Sequence, residues 1–336
     1  MSEPILEATA LHKTFGGGGL LGGRPATRAV QDVSLAVHAG ETLGIVGESG
    51  CGKSTLARLL VGLDRPTQGE LRLHGQPIAT ARGRALRGAA LRDLRRRVQL
   101  VFQDPTSSLN PRKTVGQILA APLRHLAGLP PPARKARVAT LMEQVRLRPE
   151  FVGRYPHEFS GGQAQRIGIA RALAAASEVI VLDEPVSALD VSVQAQILNL
   201  LDDLKAELGL TYVFISHDLA VVRQLADRVA VMYQGRIVEQ GPTAQLFRAP
   251  RHPYTRLLLD SIPGARPWQA VADTAVNESV VNESVVEAPP APLGGCAFAP
   301  RCPRALPACR LAVPELAALT PDHRAACLNP EPNSLA

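Results

Sequence analysis

Along residues 1–263, short runs of consecutive apolar side chains alternate with longer stretches in which apolar positions recur every three or four residues. The first pattern suits β-strands and the second amphipathic helices, so their alternation predicts an α/β domain. Val33, Leu35 and Val37, two apart within 29–37, predict one buried face of a strand. Thr42–Val46, Val179–Leu182 and Tyr212–Ile215 are β-rich runs, as expected for parallel strands covered on both faces. Leu56–Leu60 and Ile167–Ala176 read as helical. Between Asp104 and Ser160 helical segments are punctuated by Pro105, Pro111, Pro122, Pro130, Pro132 and Pro156, which predicts a helical insertion between two strands of the sheet. Gly16–Gly19, followed by Leu20-Leu21-Gly22-Gly23, predicts a flexible hairpin tip.

After Pro263 the pattern is lost. Asn277-Glu278-Ser279-Val280-Val281 repeats directly as Asn282-Glu283-Ser284-Val285-Val286, and Pro289-Pro290-Ala291-Pro292 follows. A direct repeat running into prolines predicts a flexible linker over 264–294, ahead of a small cysteine-bearing tail at 295–330.

The length of 336 residues suggests about two domains, and 46% hydrophobic against 20% charged residues excludes wholesale disorder. No apolar run approaches the roughly 20 residues of a spanning helix. Met1-Ser2-Glu3-Pro4 lacks the basic start and apolar run of a signal peptide, so a soluble cytoplasmic protein is expected. The net charge of +7 is unevenly spread: from Gly264 onward there are 5 basic and 7 acidic residues, whereas Arg82–Arg97 alone holds seven Arg and one Asp. Such a stretch suits nucleic acid, lipid headgroups or simply a solvated face. It contains no Phe, Tyr or Trp, so stacked bases would find no platform there.

The chemistry begins at Gly47-Glu48-Ser49-Gly50-Cys51-Gly52-Lys53-Ser54, which fits the phosphate-loop pattern and lies between a predicted strand and a predicted helix. Glycines let successive backbone N–H groups wrap phosphates, and the helix start adds partial positive charge. Lys53 is expected to reach the outer phosphates and Ser54, followed by Thr55, to hold Mg²⁺. Cys51 reads as a small permissive residue. Val179–Leu182 delivers Asp183 to the metal shell and Glu184 to a place where a carboxylate can polarise water. Phe159-Ser160-Gly161-Gly162-Gln163 precedes a second helical run and forms a second potential anion site. One nucleotide does not need two such sites on one chain. A dimer in which each helix start completes the partner's pocket resolves this.

With these residues in hand, the chain resembles the ATP-binding subunits of ABC transporters. Ser160-Gly161-Gly162-Gln163 is similar to their signature, with Phe159 where Leu is frequent and Ala164 where a basic residue usually follows. The resemblance makes Gln103 the Q-loop glutamine that senses γ-phosphate and Mg²⁺, Ser187-Ala188-Leu189-Asp190 the D-loop, and His217 the switch histidine. It places Phe15 where the family stacks an aromatic on adenine. Phe102-Gln103-Asp104-Pro105 with Ser108-Leu109-Asn110-Pro111-Arg112, Val186–Val193 and Arg251-His252-Pro253-Tyr254-Thr255 are similar to the oligopeptide/dipeptide importer branch. Gly50-Cys51-Gly52 and Gly295-Cys296-Ala297-Phe298 resemble its F-type member, which pairs with a D-type ATPase.

The resemblance implies an N-terminal antiparallel β subdomain, a RecA-like core and a helical subdomain at about 104–160, within an ATPase domain at 1–263. It implies ATP and Mg²⁺, and two ATPase subunits (a D-type partner or a second copy) closing head-to-tail. It also implies two membrane permeases, an extracytoplasmic solute-binding protein, and a place on the cytoplasmic face of the inner membrane. Glu184 and His217 would position the attacking water. Nickel and glutathione importers share the branch. A nucleic-acid-acting ABC ATPase is the competitor of another class, but its long insertion or second cassette is missing, since each motif occurs once. A regulatory chain with idle sites is disfavoured by the presence of both Glu184 and His217.

Cys296, Cys302, Cys309 and Cys327 form one local cluster in the sequence. Stable disulfides are disfavoured in a cytoplasmic protein, and structural zinc usually shows more closely spaced pairs. Four thiolates suit an iron–sulfur cluster, known in the branch the tail resembles, and a [4Fe-4S] centre is the expectation, with zinc and reduced cysteines as alternatives. His157, His252 and His323 read as surface or packing residues rather than ligands.

Overall fold

The alternation around Val33 belongs to an antiparallel pair. In it β1 (Pro4–Phe15) and β2 (Thr27–His38) set Ala8 opposite Leu35 and Leu11 opposite Val33, all four buried. The structure, a computed structural model, describes residues 3–16, 26–80, 88–262 and 294–332. The expected glycine hairpin beyond Gly16, the start of the arginine stretch and the expected linker up to residue 293 lie outside the described residues. The chain divides into two units, Met1–Ile237 and Val238–Ala336.

In the first unit β3 (Thr42–Val46) leads into α1 (Lys53–Leu60), and β4 (Gln68–Leu73) and β5 (Gln76–Thr80) complete an antiparallel sheet in the order β2–β1–β4–β5. Next come α2 (Gly88–Arg97), β6 (Val98–Val101), α3 (Pro105–Ser108), α4 (Val115–His125), α5 (Pro131–Gln144) and α6 (Gly161–Leu173). The unit continues with β7 (Val179–Asp183), α7 (Val191–Leu208), β8 (Thr211–Ser216), α8 (Leu219–Leu225) and β9 (Arg228–Tyr233). Strands β9–β3–β8–β7–β6 form a parallel sheet. Every residue of β3, β7 and β8 is buried, which is why these runs are apolar without alternation.

Register then sets the site. Val46 lies opposite Ser216, Leu182 opposite Phe214 and Val101 opposite Leu182, so β3, β8, β7 and β6 end side by side. Ligands of parallel α/β sheets bind beyond these carboxyl ends. Between β6 and β7 run α3, α4, α5 and α6. Thr114 and Gln117 cap α4 reciprocally, and the prolines after Leu129 stand at the start of α5, where a missing N–H costs nothing. Pro122 is tolerated inside α4. Arg166 of α6 donates to Val145 O and Gln196 Oε1, each at 3.1 Å, tying α6 to α7 and to the end of α5.

The second unit opens within β10 (Arg236–Pro242) and continues through α9 (Thr243–Arg248), α10 (Pro253–Asp260), β11 (Ala317–Thr320) and β12 (His323–Ala325). The tail is therefore a folded piece: β12 pairs antiparallel with both β10 and β11. The Tyr254 and Phe298 rings, both buried, sit 5.4 Å apart at its core. Glu239 is fully buried and accepts from Arg251 N at 2.7 Å and His252 N at 2.8 Å. His252 in turn caps α10, its Nδ1 accepting from Tyr254 N at 3.1 Å. His252 and His323 are thus packing residues, as expected, whereas His157 stacks on Tyr155. No helix among the described residues is long and apolar enough to cross a membrane.

Candidate functional site

The phosphate loop is shaped by two close backbone approaches. A Cβ at Gly47 would lie 2.1 Å from Met232 O, and one at Gly52, whose φ is +108°, would lie 2.1 Å from Ala29 O. Neither position admits another residue without moving the main chain. Beyond Gly52, α1 starts at Lys53 with no side-chain cap and no acidic residue in its first turn. Its N–H groups are left for an anion. The Lys53 ammonium is 4% exposed and donates to Gly47 O at 2.8 Å and Glu48 O at 2.9 Å. A buried cation resting on loop carbonyls fits a phosphate ligand. Glu48, Ser49, Gly50 and Thr55 complete the cradle and its helix. Burial pushes the Cys51 thiol pKa up, consistent with an inert residue.

The neighbouring strand ends bring the expected chemistry together. Ser54 Oγ donates to Asp183 Oδ1 at 3.2 Å, joining two of the three Mg²⁺ candidates across 129 positions. Burial raises the Asp183 pKa, with the Ser54 hydrogen bond acting in the opposite direction. Glu184 turns out of β7 with φ of +46°, a backbone region unusual for a side chain of this size, and its N–H is fixed by Ile215 O at 2.9 Å. That turn aims the carboxylate across the sheet end. Its Oε2 accepts from Gln103 Nε2 at 3.1 Å and lies 3.2 Å from His217 Nδ1, while Oε1 is 3.9 Å from Lys53 Nζ. Glu184, Gln103, His217 and Lys53 therefore form one constellation. Phe15 is 45% exposed at the end of β1, with Lys13 Nζ 5.0 Å from its ring centroid.

The other glycine-flanked helix start is built differently. Ser160 caps α6 and shares a reciprocal capping box with Gln163. Gly161 is exposed, whereas a Cβ on Gly162 would meet Val193 Cγ1 at 2.4 Å. Asp190 stands exposed at the N-cap of α7 with no side-chain cap bond. Among the described residues, no hydrogen bond or ion pair joins Ser160–Gln163 or Asp190 to the phosphate loop. The two anion-type sites stay separate within the chain.

Residues 30–187 match the family described as ABC transporter, and residues 238–309 that described as oligopeptide/dipeptide transporter, C-terminal region. The chain is 51% identical to the probable peptide ABC transporter ATP-binding protein y4tS of Sinorhizobium fredii, over 97% of this chain and 89% of that protein. The chain belongs to the ABC transporter ATP-binding proteins. It is also 46% identical to the dipeptide transport ATP-binding protein DppF of Haemophilus influenzae, over 98% of this chain and 97% of the relative. Among solved structures, the ABC fold is shared with a dimeric post-hydrolysis state of the cassette MJ0796 bound to ADP and Pi. That match has a TM-score of 0.62 and 30% identity, covering 71% of this chain and 98% of the other.

This ABC ATPase departs from expectation in its tail. Cys296, Cys302, Cys309 and Cys327 are free. Burial is the main cause raising the Cys296, Cys302 and Cys327 thiols, the last to about 11. Among the described residues, no group of three or more His, Cys, Asp or Glu is placed to hold a metal ion. The expected iron–sulfur centre is therefore not supported. The four thiols act on one another, Cys302, Cys296 and Cys309 each helping to raise the Cys327 thiol, but four cysteines near in sequence do not by themselves secure the ligand geometry such a centre needs. Sequence reasoning also missed the residues that hold the phosphate loop from behind: Met232 and Ala29 act through their backbone carbonyls and carry no motif.

Proposed function

We propose that this chain is the ATP-hydrolysing subunit of a di- or oligopeptide importer, working in a head-to-tail ATPase dimer on two membrane permeases. The observation that carries the hydrolytic half is the Glu184 carboxylate gathered by Gln103, His217 and Lys53 at the ends of β7, β6, β8 and β3. The peptide half rests on relatives described as peptide and dipeptide transport proteins that match the chain over nearly its whole length.

In this reading Lys53 moves from the Gly47 and Glu48 carbonyls to the outer phosphates, and the uncapped start of α1 takes the remaining negative charge. Ser54, Asp183 and Gln103 would hold Mg²⁺, which would neutralise charge on the phosphates. Glu184 accepts the proton of the attacking water, and His217 orients that water and the γ-phosphate. Phe15 supports the adenine. Ser160–Gln163 and Asp190, unengaged with their own phosphate loop, complete the nucleotide site of a second ATPase subunit or a second copy. Residues 1–263 act as the nucleotide-binding domain with its helical part at about 104–160, and 264–294 links it to the tail at 295–330. The working position is the cytoplasmic face of the membrane, with an extracytoplasmic binding protein delivering solute.

The test is affinity recovery of the tagged chain from gently solubilised native membranes. Two permeases and an ATPase partner, with ATP turnover in the recovered complex, are expected. Recovery of cytosolic nucleic-acid-bound protein without membrane partners would overturn the transport reading.

A further inference from the structure

We propose that Arg171 is a positioning residue for ATP hydrolysis: it clasps the segment on either side of Gln103 to the signature helix α6, and so sets where Gln103 meets Glu184. Arg171 lies in the last turn of α6, whose first turn carries Gly161-Gly162-Gln163. Its NH1 donates to Ser108 O at 2.6 Å, and its guanidinium carbon lies 5.9 Å from the centroid of the Phe102 ring. Phe102 immediately precedes Gln103, and Ser108 ends the short helix α3 that follows it. One side chain thus grips both flanks of the residue whose Nε2 donates to Glu184 Oε2 at 3.1 Å.

The chemistry of the grip is unusual for a desolvated cation. Burial lowers the Arg171 pKa, yet among the described residues no carboxylate pairs with it. Its charge is met instead by the Ser108 carbonyl and by an aromatic face. Arginine suits this role because its planar fork can donate along one edge while presenting a flat face to a ring; lysine reaches only one of these partners well. The segment so held is tied together by its own local hydrogen bonds. Asp104 Oδ1 accepts from Thr106 N at 2.9 Å and Ser107 N at 3.3 Å, Ser108 Oγ donates to Pro105 O at 2.9 Å, and Leu109 is buried. A shift of α6 is therefore passed to Phe102 and Gln103 rather than absorbed between them.

The inference rests on the reading of Gln103 and Glu184 as catalytic, and a double-substitution cycle separates the two. ATP turnover and ATP binding are measured on the complex recovered with the full-length tagged chain, for Arg171→Met, Arg171→Lys, Phe102→Leu and Gln103→Ala, and for Arg171→Met combined with Gln103→Ala. Arg171→Met is expected to lower kcat about 10- to 100-fold, the scale of a catalytic group misplaced by roughly 1 Å, while KM stays within about threefold. Arg171→Lys should recover part of the loss. Phe102→Leu, at an exposed position that leaves the core untouched, should lower kcat in the same sense even if Arg171→Met folds poorly.

The decisive comparison is the double variant. Once Gln103 is gone, removing Arg171 should cost less than about twofold more. Losses that multiply would show that Arg171 acts other than through Gln103 and would overturn the proposal. Unchanged turnover in Gln103→Ala would bring down the catalytic reading itself and this inference with it.

Discussion

Glu239 and His323, 84 positions apart, meet at 2.7 Å with neither side chain more than 2% exposed. The same carboxylate holds the backbone N–H groups of Arg251 and His252. A buried carboxylate with three donors fastens β12, and with it the end of the tail, to β10. Glu239→Ala leaves all three donors without an acceptor and is expected to destabilise the fold by ~3–5 kcal/mol, the scale of a broken buried pair. Urea unfolding gives the magnitude, and limited trypsin digestion should cut sooner after Arg301 and Arg304. An unchanged unfolding midpoint would remove Glu239 from this role.

His252 gives the second unit a dependence on pH. Burial lowers its pKa to about 4, with the Glu239 carboxylate opposing the shift. The unfolded imidazole titrates near about 6.5, so between ~6.5 and about 4 the unfolded chain binds a proton that the folded one refuses. Stability is whole above this window and falls as pH drops through it, by ~3 kcal/mol at the limit. Urea midpoints at about pH 7.5 and about pH 4.5 should show the loss. His252→Asn keeps an acceptor for the Tyr254 N–H and cannot titrate, so the slope should flatten. A slope identical in the variant would assign the effect elsewhere.

Substitutions at Lys53 and Glu184 are expected to separate binding from hydrolysis. Lys53→Ala removes the buried cation of the loop and should abolish ATP binding, read by equilibrium binding. Glu184→Gln keeps the shape and the acceptor for Gln103 but cannot take a proton. Binding should persist and turnover should fall by about 10²–10⁴, the usual contribution of a general base. Normal hydrolysis at its own site in the Glu184→Gln complex would exclude it as the base.

Gly162 is set by packing. Gly162→Ala drives a methyl to 2.4 Å from Val193 Cγ1, so either the Val193 side chain must turn or the start of α6 must move away from α7. Overpacking of this kind costs ~1–3 kcal/mol. A lower Tm and reduced turnover are expected, and Val193→Ala in the same chain should restore both. Failure of that rescue would mean that the Gly162 Cβ position matters for something other than Val193.

Much of this molecule is readable from local sequence because the features concerned are local in their physics. Thr42–Val46 reads as a covered strand because it lacks alternation, and Gly47–Ser54 reads as a phosphate loop because its glycines let successive N–H groups turn inward. The roles proposed for Asp183 and Glu184 follow from a buried strand ending in two acids. Family motifs extended that reading to Gln103 and His217, which no local pattern singles out.

Tertiary structure alone decided the rest. That Glu184 turns left-handed and gathers Gln103, His217 and Lys53 depends on four strands ending in register. The Arg171 grip on Ser108 and Phe102, the contact of Gly162 with Val193 and the Glu239–His323 pair join residues through packing, which leaves no periodicity behind. The tail cysteines mark the limit from the other side: their proximity in sequence suggested a metal centre, but whether thiols take up a ligand geometry is a property of the folded backbone. Sequence determined which groups this ATPase possesses, since loops and strands obey short-range sterics and hydrophobic patterning. Only the fold decided which of them touch, because contact depends on register and helix placement summed over the whole chain.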